Sequence, residues 1–482
     1  MTFNSLSYLV FLPIIYMVFY ISKDHFRWLV LLIASYAFYS TFKAPQLLIV
    51  LVFVTGISFI CGVMLSRTSD EHKRRLIFWS GTSGCLFFLV VMKYVPPFLT
   101  VCKIELPYTN FLISIGISYF AFQAISYLAD VYLELLEPEQ HLGYHALALA
   151  FFPKLLQGPI ERGGDLLPQL RQPYVFNYDN MRSALLLFTW GLLKKVVVAD
   201  RLAMFVDPVY NDVHAYSGIP LVIATYAYAL QIFFDFSGYT DMARGTARLF
   251  GINLTENFNS PYLATSIADF WRRWHISFSR WILDYIFKPL QMAWRDYKQA
   301  GTALALIVTF FVSGIWHGAS FGYIVWGGMH GLYLAASTYY RPYQKKLHRS
   351  LGIEKNKYLK IWQIFVTFNM VCLAWIFFRA GSLSDGWYVL MHLVSPFQLT
   401  SAEYIHRNIF LGQSSREFFV VINLLVLSAL ISYIVQRSGK RDLGSFLKDR
   451  SLFFRWGIYY MLVFSIVVFT IYGNSGFIYY KF

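Results

Sequence analysis

The sequence predicts an all-α, polytopic membrane protein, and three observations carry that prediction. The chain of 482 residues is 57% hydrophobic and only 14% charged, where soluble domains average about 25% charged residues. Apolar runs recur along its whole length, separated by short basic connections. The runs are continuous rather than alternating, which argues against a membrane β-barrel. At about 20 apolar residues per crossing, the chain offers about 11–13 candidate spans, some short or broken, in one integral membrane unit covering residues 1–482.

Taken in order, Met1 to about Leu65 reads as three spans, broken near Ser22–Arg27 and Lys43–Pro45. The first lacks a basic start and a small-residue cleavage site, so it reads as a span rather than a removable signal. Arg67–Arg75 is a basic loop, Arg75 to about Val95 a span, and Pro96–Thr109 a short outer connection. Phe111–Leu135 then returns inward. Tyr144–Gln157 is apolar but short and ends among Pro153, Gly158 and Pro159, which predicts a re-entrant or broken element. A polar loop, Glu161–Arg182, follows. Leu185–Asp200 and Ile219–Phe236 are read as two spans with Lys194, Lys195 and Arg201 between them. Asp235–Leu290 mixes charges, aromatics and short apolar pieces, which predicts short helices at the membrane interface. Gly301–Ile315 and Phe321–Thr338 form an antiparallel pair, and Arg341–Lys360 a basic loop. Trp362–Phe378, Phe419–Val435 and Phe454–Tyr472 are the last spans, with an amphipathic piece at Trp387–Val394 and a basic segment at Gln436–Arg450.

The net charge of +15 would suggest nucleic acid in a soluble protein. Here the Lys and Arg residues cluster in the loops, as the positive-inside rule requires, so nucleic acid is not an expected partner and the lipid bilayer is. Those loops are placed in the cytoplasm, with both termini outside. The same basic face would attract an anionic donor such as a CoA thioester or an acidic carrier protein. Cys61, Cys85, Cys102 and Cys372 are scattered without CxxC spacing, so neither a disulfide framework nor a thiolate metal site is expected.

Four polar features interrupt the apolar background: Gln157–Arg162, Gln231–Asp241 (QIFFDFSGYTD), Phe270–Ser277 (FWRRWHIS), and His317 with His330 inside FFVSGIWHGASFGYIVWGGMHG at Phe310–Gly331. An imidazole at membrane depth loses hydration and usually faces a polar cavity. Gly318 and Gly331 follow the two histidines and remove bulk beside them, so a substrate would be able to approach closely. Gln231 and Asp235 share a helical face at i,i+4 and would point into one cavity. The competing readings are structural: the histidines packed between helices, and Asp235 and Asp241 in ion pairs with Arg244, Arg272 or Arg273. His317 and His330 are 13 residues apart and show no HxxxH or HExxH spacing, so no metal is expected. A nucleophile elbow, a P-loop and GxGxxG are absent. A single histidine acting as general base on a hydroxyl needs no sequence partner. The residues alone therefore point to a membrane-embedded site with one or two histidines and leave the substrate open.

These same segments resemble the membrane-bound O-acyltransferase (MBOAT) family, in its AlgI-like branch of alginate and polysaccharide O-acetyltransferases. The resemblance rests on SIGISYFAFQAISYLADVY at Ser114–Tyr132, FFPKLLQGPIER at Phe151–Arg162 and QIFFDFSGYTDMARGTARLFGINLTENFNSPY at Gln231–Tyr262. It continues through FWRRWHISFSRWILDYIFKPL at Phe270–Leu290, the WHG segment, AWIFFRAGSLSDGW at Ala374–Trp387 and the aromatic ending Phe477–Phe482. It implies a ring of helices around a central site, with N-terminal helices at 1–110, a catalytic core at 111–380 and C-terminal helices at 381–482. It implies that His317 is the catalytic histidine and His275 the second one, with a less certain role for His330. Asp235, Tyr239, Arg272 and Gln157 become candidates for lining the substrate tunnel.

The activity so implied is acyl transfer, with no bound cofactor. An acyl thioester, acetyl-CoA or acyl carrier protein, would enter from the cytoplasmic face of a bacterial inner membrane. A hydroxyl acceptor would arrive from outside, either an exopolysaccharide such as alginate or a periplasmic acyltransferase partner. The family's D-alanyl-transferring branch, acting towards teichoic acid, is the alternative. A proton-relay transporter would need repeated halves, and none is visible.

Overall fold

Each long apolar run folds as a helix, because backbone N–H and C=O groups away from water must be satisfied within the segment. The computed structural model describes residues 1–42, 45–104, 115–395, 406, 408–440, 442–471 and 476–478. The helices are α1 (Leu6–Ile21), α2 (Arg27–Ser40), α3 (Pro45–Arg67), α4 (Glu71–Val101), α5 (Ile117–Tyr132), α6 (Leu142–Ala150) and α7 (Gly163–Arg171). Then come α8 (Tyr178–Leu193), α9 (Asp200–Asn211), α10 (Ile219–Leu249), α11 (Ile267–Trp271), α12 (Ile276–Ile282), α13 (Lys288–Ala293) and α14 (Lys298–His317). The last are α15 (Phe321–Ser350), α16 (Lys357–Arg379), α17 (Leu383–His392), α18 (Ser415–Arg437), α19 (Leu443–Lys448) and α20 (Leu452–Phe469). Among the described residues there is no strand, only one isolated bridge between Phe258 and Trp274. The all-α, polytopic class stands.

Seven of the described helices are long and apolar enough to cross a membrane: α3, α4, α10, α14, α16, α18 and α20. The larger number read from sequence counted shorter pieces such as α1, which is apolar but has 16 residues. It also counted α15, in which glycines and His330 dilute the apolar run. The first expected break in the first 65 residues is present at Lys23–Phe26; α2 ends at Ser40 and α3 opens at Pro45, and most of the second expected break, Lys43–Pro45, lies outside the described residues. The broken element after α6 is also present: Phe151–Gly158 is a run of buried turns, and its backbone is covered by protein.

Apart from α4, which runs on through Pro96 and Pro97 to Val101, and the expected polar loop, which holds α7 and the start of α8, three boundaries differ from the sequence reading. The FDFSGYTD stretch does not open an irregular segment; it continues α10 as one 31-residue helix to Leu249. Lys194 and Lys195 do not sit in a loop. They occupy a π-helical turn, Lys194–Ala199, that joins α8 to α9 without a break. The two corrections have one cause. Lys194 pairs with Asp241 at 2.7 Å and Lys195 with Asp235 at 2.7 Å, so the charges that read as helix ends neutralise one another across the α8–α10 contact. Third, α15 runs on to Ser350 through much of the expected basic loop. Past α10, residues 250–297 do fold as short helices and turns, including α11, α12 and α13. The expected outer connection, Pro96–Thr109, and the segment between the spans ending at Phe378 and opening at Phe419 lie partly at residues 105–114, 396–405 and 407, and most of the aromatic ending at 479–482, outside the described residues.

Candidate active site

The antiparallel pair α14–α15 seats two of the histidines. Its glycines make the approach possible: a Cβ on Gly327 would lie 2.3 Å from the Phe310 carbonyl oxygen, and one on Gly314 2.4 Å from that of Tyr323. Gly331 is likewise spent on Ile307, and Gly318 faces the Tyr323 ring. The bulk removed beside the histidines thus serves helix packing, not the substrate approach expected from sequence. His317 ends α14, and its ring stands edge-on to Trp326 at 4.9 Å and against Phe378 at 5.0 Å.

The last turn of α14 is held from α4. The Lys93 ammonium donates to the Trp316 carbonyl and the Tyr94 hydroxyl to that of Ile315. A cation at a helix C-terminus satisfies carbonyls that have no intrahelical partner. Lys93 is buried, and its ammonium also lies 5.3 Å from the centre of the Trp316 ring, next to His317. Nothing in the local sequence around Lys93 signals this contact across 223 positions.

His275 reaches the same place from the short-helix region. It precedes α12 in a left-handed conformation, φ 42° and ψ 55°, which histidine tolerates better than most residues. Its ring packs against Phe236 of α10 at 4.7 Å and Phe278 at 5.1 Å. Phe278 in turn lies 6.2 Å from the His317 ring and 4.4 Å from Trp316. One phenyl ring therefore touches both histidines, brought together from positions 42 residues apart.

The other candidates separate into two groups. Gln157 is buried in the broken element, which is tied to α12 by the Ile160 N–H donating to Ser277 Oγ at 3.0 Å. His330 lies behind Trp326, at 5.2 Å ring to ring, and its Nδ1 accepts from Trp271 Nε1 at 3.2 Å; it is one layer removed from His317. Asp235 faces elsewhere: its carboxylate accepts from Lys195 at 2.7 Å and from the Ile478 N–H at 3.0 Å. Tyr239 packs between Phe3 at 4.8 Å and Phe477 at 5.0 Å. Both residues thus grip the chain's end. Arg272 is largely exposed and 3.5 Å from Asp269. Asp235 and Asp241 are ion-paired, but chiefly to Lys195 and Lys194 rather than to the arginines expected; of those, Arg244 reaches Asp241 at 3.3 Å, while Arg272 and Arg273 pair with Asp269.

Around the two histidines, buried polar atoms lack hydrogen-bond partners in the protein. They include both ring nitrogens of His275, both amide atoms of Gln157, Ser237 Oγ, Asn257 Nδ2 and Ser313 Oγ. Leaving such a group unsatisfied costs about 1–3 kcal/mol, so a concentration of them marks a site that receives a polar ligand. A cavity of about 400 Å³ opens between α10, residues 256–260 and the α18–α19 corner. Lys194, Asp241, Arg244 and Lys440 are on its walls, and Ser237 and Asn257 line it as well. It stops short of the imidazoles, and Asn257 is the link: its backbone and side chain both bond the turn that carries His275. Among the described residues no three His, Cys, Asp or Glu side chains gather as metal ligands.

Residues 35–350 match the family model described as MBOAT, membrane-bound O-acyltransferase family. The chain is 31% identical to the peptidoglycan O-acetyltransferase of Helicobacter pylori over 461 residues, covering 88% of this chain and 84% of that one. It is 34% identical over 416 residues to the probable alginate O-acetylase AlgI of Pseudomonas aeruginosa, covering 83% and 76%. It is 27% identical to the teichoic acid D-alanyltransferase of Bacillus subtilis over 289 residues, covering 58% and 72%.

Proposed function

The chain belongs to the membrane-bound O-acyltransferase family, and from that premise we propose that this multi-pass acyltransferase moves an acetyl group from a cytoplasmic thioester to a hydroxyl on the outer side of a bacterial cytoplasmic membrane. The acceptor is a polysaccharide of the envelope or matrix, as the names of the alginate- and peptidoglycan-acetylating relatives suggest, reached directly or through a partner acyltransferase. The observation that carries the reading is the meeting of His317 and His275 across Phe278 amid buried polar atoms without protein partners.

His317 takes the proton of the acceptor hydroxyl as its oxygen attacks the thioester carbonyl. The tetrahedral adduct collapses, the C–S bond breaks, and the departing thiolate takes that proton back from the imidazolium. The products are an ester and a free thiol, and His317 is regenerated. His275 orients the carbonyl or the acceptor. The donor, acetyl-CoA or an acyl carrier protein, is read as entering by the polar cavity between α10 and the α18–α19 corner, whose walls carry Lys194, Arg244 and Lys440 together with Asp241, Glu256 and Asp442. General-base catalysis of this kind contributes about 10²–10⁴-fold.

The test is thioester consumption by purified protein in detergent, with radiolabelled acetyl-CoA and a polysaccharide acceptor. Consumption that requires His317 supports the reading. Consumption of a D-alanyl carrier protein but not of acetyl-CoA would favour the reading suggested by the D-alanyl-transferring relative. A His317→Ala protein as active as wild type would overturn the assignment of the base.

A further inference from the structure

Attack on a thioester drives negative charge onto the carbonyl oxygen, and neither histidine has been assigned to meet it. We propose that the side-chain amide of Asn257 is the donor for that oxygen, with the Ser237 hydroxyl on the same cavity wall assisting. This inference rests on the acyl-transfer reading above.

Asn257 lies in the loop after α10 and is 1% exposed. Its main-chain oxygen accepts from the Ile276 N–H at 3.0 Å. Its Oδ1 accepts from the Ser277 N–H at 3.1 Å. Together these bonds fix the left-handed turn at His275. They also settle which way the amide points: a backbone N–H only donates, so the oxygen end must face Ser277 and the NH₂ end must turn away. That Nδ2 is buried without a partner in the protein, on a residue that lines the 400 Å³ cavity. Ser237 is 2% exposed, its Oγ is also without a partner, and it lines the same cavity.

Two neutral donors, fixed before the ligand arrives, match a carbonyl oxygen that is neutral on entry and negative after attack. Donors pre-organised in this way stabilise the adduct without reorganisation during the reaction. As the hydroxyl oxygen bonds to the carbon, the C=O electron pair moves onto the oxygen held by Nδ2–H. Collapse re-forms the double bond and expels the thiolate, which takes its proton from His317. One residue thus both secures the His275 turn and presents a donor to the reacting group.

The experiment compares full-length wild type, Asn257→Asp, Asn257→Leu and His317→Ala in detergent, with acetyl-CoA as the probe. Asn257→Asp keeps an oxygen for the Ser277 N–H and removes the NH₂. At pH 8 its turnover should fall by about 10²–10³-fold, with the KM for acetyl-CoA and the thermal unfolding midpoint unchanged. Relative to wild type it should recover as the pH is lowered, because a protonated carboxyl again offers a donor. Asn257→Leu should lose turnover without that recovery. Asn257→Asp at wild-type turnover, or with a deficit that does not vary with pH, would overturn the assignment. If His317→Ala is inactive while Asn257→Asp works normally, only the Asn257 inference fails; if His317→Ala is active, the acyl-transfer reading fails first.

Discussion

A buried polar cluster around Asp235 and another around His275 contrast in this protein, and the same signal in the sequence pointed to both. At Asp235 the charged groups are engaged: Lys195 bridges Asp235 at 2.7 Å and Asp200 at 2.8 Å and donates to the Gly476 carbonyl at 3.0 Å, while Asp235 also takes the Ile478 N–H. Around His275 the reverse holds, with both ring nitrogens, Gln157, Ser237 Oγ and Asn257 Nδ2 left without partners in the protein. Burial is as deep in one cluster as in the other. What separates them is satisfaction: a completed network braces a fold, and an incomplete one leaves bonding capacity for a substrate.

The sharpest way to break this contrast is to disturb the completed cluster. Lys195→Met strands two carboxylates in an apolar interior and should cost about 3–5 kcal/mol, read as a lower unfolding midpoint and poorer recovery from detergent. Turnover per folded molecule should stay near wild type. Adding Asp235→Leu should recover part of the loss, since an apolar replacement removes one of the stranded charges.

A smaller effect is expected where the incomplete cluster is held in place. Lys93→Met frees the last turn of α14, and a displacement of His317 by about 1 Å can cost up to about 10²-fold. Turnover should drop about ten- to a hundred-fold with little change in unfolding midpoint, which separates positioning from bracing. Gly327→Ala acts on both, because its Cβ would meet the Phe310 carbonyl at 2.3 Å and force α14 from α15. About 1–3 kcal/mol of stability should go, together with turnover.

The smallest effect belongs to neither cluster. Asp442 caps α19 and bonds Arg248 at 2.7 Å. Burial pushes its carboxyl up, but Arg248 and the Ser445 hydrogen bonds outweigh that and hold it below the usual range. A carboxyl held low in the folded protein adds stability above the unfolded value of about 4 and loses it as pH falls further. Asp442→Ala should therefore cost about 1 kcal/mol near neutral pH and less in acid, read as a shift of the unfolding midpoint.

Much of this was legible in the sequence, and the exceptions share a cause. The spans, the broken element after α6, the short helices past α10 and the histidines all follow from apolar runs, Pro and Gly, and residues that are costly in a membrane. Contacts between distant positions were not visible. Lys93 read as part of an apolar span, yet it bonds Trp316. Asn257 read as part of the interfacial short-helix segment, yet it holds the His275 turn. Lys194 and Lys195 read as a helix end because their carboxylate partners lie 47 and 40 residues away. Asp235 and Tyr239 carried the right chemistry for a site, and only the partners that consume it revealed a structural role.

The account turns on one paired measurement: unfolding midpoint and acetyl-CoA turnover per folded molecule, for His317→Ala and Lys195→Met beside wild type. The prediction is a crossed result. His317→Ala keeps its midpoint and loses about 10²–10⁴-fold in turnover, while Lys195→Met loses stability and keeps its turnover. A stable but inactive Lys195→Met, or an active His317→Ala, would contradict it.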